Sequence, residues 1–198
     1  MSTSTTASDA HVTTQAVHDL ASALWFGGSV MGVAGVNKSG ADLESGRDRI
    51  AVSASAWHRF APVQWAGIAT VLATGTRLTR SSSQRLALQE GYASTGALKV
   101  AFVVAGAAAT AYASWCGHEI AAAAAAAERR GEDVAVTDAT TPTDATPRDL
   151  ATWQRRQRVA QVLVPVLAGG NIVCNSALVQ SYRLGATARG LLGRLHLS

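Results

Sequence analysis

Polar and apolar residues in this chain are segregated into blocks rather than interleaved at a helical or strand period. Four windows contain no Asp, Glu, Lys or Arg: Leu20–Asn37, Phe60–Thr76, Val100–His118 and Val159–Tyr182. Each lies near the roughly 20 mostly apolar residues that a transmembrane helix needs, and none has room for two spans. A soluble surface helix carries a polar face, whereas these windows offer only small residues and a few amides. The pattern predicts an all-α fold, a four-helix transmembrane bundle with spans at about 15–36, 60–76, 95–118 and 159–182.

The segments between the windows set the remaining expectations. Residues 1–14 are Ser, Thr and Ala with Asp9 and His11, too polar to bury a core, and are expected to be a disordered tail. They lack the basic start of a secretory signal, so no cleavage is expected. Lys38 to Trp57 reads as a polar connector whose later part, from Arg47, forms a short interfacial helix. Trp57, His58 and Arg59 then make an interface belt, and Pro62 falls in the first turn of the second span. Arg77, Arg80 and Arg85 mark a basic turn after that span, and Lys99 is placed to snorkel from the start of the third.

The third and fourth helices are expected to extend beyond the bilayer. Ala121 to Ala127 continue the third span with strong helix formers, and Gly131 is placed as its stop. Residues 131–146, Thr-rich and broken by Pro142, read as a flexible linker. Thr146, Pro147 and Asp149 form a helix start, with Thr146 as the cap. A helix from there to about Arg183 would be roughly 55 Å long, nearly twice the hydrocarbon thickness. Helices 3 and 4 would therefore project as an antiparallel stalk with Trp153 against the alanine ridge, and residues 184–198 would form a basic tail.

Composition adds little to this picture. Charged residues are 15% of the chain, below the ~25% of soluble proteins, while the mean hydropathy of +0.14 conceals the segregation. The net charge of +4 is spread over connectors, without the basic and aromatic block that binds nucleic acid. The partners expected are the lipid bilayer and another membrane protein or a second copy of the chain, with no nucleic acid. Cys116 and Cys174 have no CxxC neighbour and read as buried core residues. Fifteen arginines against two lysines, with abundant Ala, Gly and Thr, fit a high-GC bacterial genome and hence a bacterial plasma membrane.

Candidate residues fall into four groups. His18, Ser22, Trp25, Ser29 and Gly32 share one helical face of the first span, and Gly28 with Gly32 forms a GxxxG pair that admits close packing. Gly35 is expected to face lipid. Asn171 and Asn175, one turn apart in the fourth span, must find partners in a bilayer, by an interhelical hydrogen bond or as the lining of a solute path. His18 and Asp19 stand at the start of the first span, as an interface anchor, a hydrogen bond within the bundle or an intramembrane functional site. For a cofactor, topology restricts the pairing: His58 and His118 lie on one side and His18 on the other, so His58 and His118 are the candidate ligands. No Ser/His/Asp set, HExxH, P-loop or dinucleotide glycine pattern is present, and no cofactor or metal is predicted; haem is the alternative.

HDLASALWFGGSVMG in the first span, with the later AWHRFAPVQWAGIA, resembles uncharacterised four-pass membrane proteins of actinobacteria. The acidic, Thr/Pro-bearing connector between the last two spans is similar to theirs as well. The spacing His18-x6-Trp25-x-Gly27-Gly28 is more remotely similar to the first helix of copper-resistance-D-like proteins, which implies metal or haem binding; the further in-span histidines that such a site wants are missing here. The leading reading is a non-enzymatic accessory or scaffolding membrane subunit. A small transporter or channel using the amides of the fourth span, and a haem or metal redox protein using His58 and His118, stand as alternatives.

Overall fold

The computed structural model describes residues 3–81 and 92–195, with side chains placed for 10–80 and 92–180. Four long helices run antiparallel in sequence order: α1 (Thr3–Met31), α2 (Gly46–Ser81), α3 (Tyr92–Arg129) and α4 (Arg148–Leu195). The all-α expectation needs one amendment, a small hairpin of β1 (Val136–Asp138) and β2 (Thr141–Pro142) between α3 and α4. α3 and α4 form the most extensive pair, α1 packs on α2 and α4, and α2 and α3 meet much less.

Among the described residues, three helical stretches are long and apolar enough to cross a membrane: Ala10–Asp42, Tyr92–Arg129 and Arg148–Gln180. α2 is not among them; its charge-free window includes Pro62, Gln64 and three threonines, which dilute its apolar character. Polarity is inverted relative to a soluble bundle. Leu20 is 72% exposed and Val173 69%, while His18, Trp25 and Asn171 are fully buried. Water would favour the opposite arrangement, and an apolar exterior of this extent is what hydrocarbon tolerates.

Several segments depart from the sequence reading. Residues 3–14 are helical and continue α1 rather than forming a disordered tail. The proposed interfacial helix and the second span are one helix, so Pro62 sits inside α2 instead of in its first turn. The backbone of α4 stays helical to Leu195, through most of the segment read as a tail. The basic turn around Arg85 lies outside the described residues.

α1 continues past Met31 in helical turns to Asp42, counted with it below, and this continuation carries a register change that spacing alone does not show. Ser22, Trp25, Ser29 and Gly32 are buried at ordinary helical spacing. Gly32–Val36 then forms a π-turn, and the Asn37 N–H bonds back to Gly32 O and Gly35 O. A π-turn inserts one residue into the helical repeat. The next inward-facing residue is therefore Asn37, five positions after Gly32 and 2% exposed.

The largest correction concerns residues 131–146, expected to be a flexible linker and in fact a folded cap. Gly131 ends α3 with φ +71°, and Glu132 N bonds back to Ala127 O at 3.0 Å, which closes the helix. Val134 and Val136 then pack with Ile50, Ile120, Leu150 and the buried alanines of the α3 ridge, Ala123, Ala124 and Ala127. Trp153 packs against that cluster and meets Trp115 edge-on at 5.1 Å. Thr146 does not cap α4 as expected. Its hydroxyl accepts from the Thr143 N–H and donates to Ala135 O, so it ties down the loop instead.

Asp138 holds this cap together. Its carboxylate accepts from Lys38 Nζ at 2.7 Å, from Thr140 N at 2.8 Å and from Thr141 Oγ1 at 2.7 Å. Burial opposes the charge, but the bonds from Lys38, Thr140 and Thr141 outweigh it and hold the carboxyl below the usual aspartate range. Arg49 of α2 adds a bond to Val136 O at 2.6 Å, and Gln154 of α4 donates to Ala139 O at 3.1 Å. The hairpin is thereby bonded to three of the four helices.

Candidate functional site

The bundle interior is organised in layers. At the end holding the α1 N-terminus, Lys99 Nζ donates to Asn175 Oδ1 at 2.6 Å, and Asn175 Nδ2 donates to Asp19 Oδ1 at 2.7 Å. The Asn175 amide thus links the cation of α3 to the carboxylate of α1. Lys99 turns inward to make this link, where snorkelling toward the headgroups was expected. At the same level, His18 Nδ1 and Thr74 Oγ1 are 2.8 Å apart, and one turn deeper Asn171 Nδ2 donates to Ser22 Oγ at 3.1 Å. His18 Nε2 and Asn171 Oδ1 are enclosed without a hydrogen-bond partner among the described residues.

An apolar layer follows. The fully buried Trp25 fills the centre, with Ile68, Val71, Val103, Val164 and Ala168 around it. Gly106 makes room for it, since a Cβ there would stand 2.6 Å from the indole. Gly28 and Gly32 lie against α2: a Cβ on Gly28 would overlap the Phe60 ring, and one on Gly32 the Trp57 ring. The close packing of α1 is therefore glycine against aromatic ring rather than backbone against backbone.

Beyond Trp25 the interior becomes polar again. Ser29 Oγ donates to Trp25 O at 2.7 Å and accepts from Gln64 Nε2 at 3.1 Å. Asn37 Oδ1 accepts from Trp57 Nε1 at 2.8 Å and from Ser53 Oγ at 3.1 Å, while Asn37 Nδ2 donates to Gln161 Oε1 at 2.6 Å. Gln157 Nε2 reaches Ala113 O at 3.4 Å.

This second polar layer floors a cavity of about 420 Å³. It opens where α2 and α3 diverge, past the exposed Ala54, Ser55, Ser114 and Ala121. His58 and His118, paired by topology in the sequence, both border it, one from α2 and one from α3, and both are exposed. His18 belongs to the opposite polar layer. Among the described residues, no Asp, Glu, Lys or Arg lines the cavity. Sequence reasoning passed over its floor, although Gln64 and Gln161 stand inside charge-free windows where an unpaired amide is costly. That cost was the available signal.

Comparison with known proteins finds no matching family model, no matching curated protein and no matching solved structure.

Proposed function

We propose that the chain is a four-span integral membrane protein of a bacterial plasma membrane, related to the four-pass actinobacterial proteins it resembles. In this reading it is a non-enzymatic accessory or scaffolding subunit. The observation that carries the membrane reading is the inverted polarity, with Leu20 and Val173 facing outward and His18 and Asn171 buried. The window Phe60–Thr76 of α2 supplies the fourth span because α2 packs against α1 over the same depth, from Gly32 beside Trp57 to His18 beside Thr74. The folded cap supports the scaffolding role: a hairpin bonded to α1, α2 and α4 presents a fixed surface to a partner.

The test combines topology with assembly. Reporter fusions at residues 10 and 190 should report the same side of the membrane, and a fusion at residue 140 the other. Opposite sides for the two termini would refute four spans. Mild-detergent extraction from native membranes should yield a complex larger than the monomer that dissociates when the cap is altered. A second reading, a small solute path, is favoured by one arrangement: two polar layers at opposite ends of the bundle separated by a single apolar layer around Trp25.

A further inference from the structure

The three floor amides of the α2/α3 cavity are each satisfied on one side only, and the surrounding bonds fix which side. Ser29 spends its hydroxyl proton on Trp25 O, so it accepts from Gln64; the amine of Gln64 is committed there and its Oε1 is left over. Asn37 Oδ1 receives the Trp57 N–H, which can only donate. Asn37 therefore donates its amine to Gln161 Oε1, and Gln161 Nε2 is left over. Gln157 gives its amine to the Ala113 carbonyl and keeps its Oε1. These residues are 4%, 5% and 8% exposed for Gln64, Gln161 and Gln157, yet the spare atoms are not among the fully enclosed ones. They are reached from the cavity they line.

The floor thus offers two amide oxygens and one amide nitrogen without a protein partner, and the remaining walls include the apolar Ile50, Ile120 and Val164. The volume lies within the ~300–1,000 Å³ of small-molecule sites. A charged headgroup would find no carboxylate, ammonium or guanidinium counter-ion among the described lining residues. A group that only accepts hydrogen bonds, such as an ester or ketone, would leave the Gln64 and Gln157 oxygens unpaired. A hydroxyl both donates and accepts, and matches the floor. We propose that the cavity is a binding site for an uncharged lipid alcohol, taken laterally from the bilayer between α2 and α3. The hydroxyl sits on the Gln64, Gln157 and Gln161 amides and the hydrocarbon leaves past His58 and His118. The proposal rests on the membrane reading above.

The test uses the full chain in phosphatidylcholine nanodiscs, with binding read by native mass spectrometry. Dioleoylglycerol, whose head is a free hydroxyl, is compared with its 3-O-methyl ether and with dioleoyl phosphatidate. The expected result is saturable binding of one dioleoylglycerol, with the ether at least tenfold weaker and phosphatidate unable to compete. Gln157→Leu should weaken the alcohol at least fivefold and leave the ether unchanged, and Ala54→Trp should block the mouth. Equal binding of alcohol and ether by the wild-type chain overturns the site, whether or not either variant folds, and so does preference for phosphatidate. Failure of the chain to enter the discs overturns the membrane reading instead.

Discussion

At the scale of single residues, the glycines of α1 are set by the rings they touch. Gly32 lies under Trp57, whose indole N–H is itself committed to Asn37, so moving the ring aside breaks that bond. Gly32→Leu should therefore destabilise the bundle by about 2 kcal/mol, the ordinary cost of overpacking a fixed site. Gly35→Leu should cost less, because a Cβ there meets only the flexible end of Met31 at 3.2 Å. Thermal unfolding in detergent compares the two, and equal midpoints for the Gly32 variant and wild type would contradict the packing argument. GxxxG spacing carries no information about the opposite helix, and the Phe60 and Trp57 rings that the two glycines meet are placed by tertiary structure.

Asp138 carries a second residue-scale expectation. Its carboxyl is held below the ordinary aspartate range in the folded cap. A group with a depressed folded pKa contributes stability that is fully present above its unfolded value, about 3.9, and is lost as pH falls through the lower folded value. Hydrogen-exchange protection of residues 134–146 should hold from neutral pH down to about 4 and decline below it. Asp138→Asn, which removes the charge but keeps the shape, should weaken the cap by about 1–3 kcal/mol at neutral pH and flatten that acid dependence.

At the scale of elements, the informative unit is the end of α3 with the start of α4. Seven alanines are a marginal helix by themselves in water. Here they extend an existing helix and bury a ridge against Leu150, which is fully buried, with Trp153 beside it. Backbone amides of residues 119–130 should exchange slowly. Trp153→Ala should accelerate exchange there and in the hairpin while leaving α1 and α2 unchanged, at a cost of about 2 kcal/mol from lost burial and the Trp115 edge contact. Uniformly fast exchange over 119–130 in the wild type would mean that this extension is not packed. The helical extension was legible from alanine propensity and from Gly131. The folding of 131–146 was not, because a Thr/Pro-rich composition is compatible with both a linker and a hairpin. Burial of Val134 and Val136, which tips the balance, depends on Ile50 and Ile120 being nearby.

At the scale of the molecule, Trp25 divides the interior into two polar layers. Trp25→Ala would remove the largest side chain of the dividing layer. If the layers are halves of a solute path, liposomes carrying this variant should leak a small polar solute several-fold faster than wild type. If they serve only to hold helices together, by about 0.6 kcal/mol per interhelical bond, the variant should lose stability without leaking.

The amino-acid sequence by itself determined that the chain is helical and where its apolar stretches fall. Block hydropathy, alanine propensity and a glycine stop act over a few residues and need no knowledge of neighbours. Tertiary structure alone decided which polar atoms meet. Lys38 finds Asp138 across 100 positions and Asn37 finds Gln161 across 124. The π-turn at Gly32–Val36, which brings Asn37 inward, shifts the helical repeat by one residue without any sequence signature of its own. The amides flooring the cavity gain their chemistry from the same source. Whether Gln64, Gln157 and Gln161 present an oxygen or an amine depends on what Ser29, Ala113 and Asn37 have already taken from the other side. Those neighbours are assembled only when four helices close.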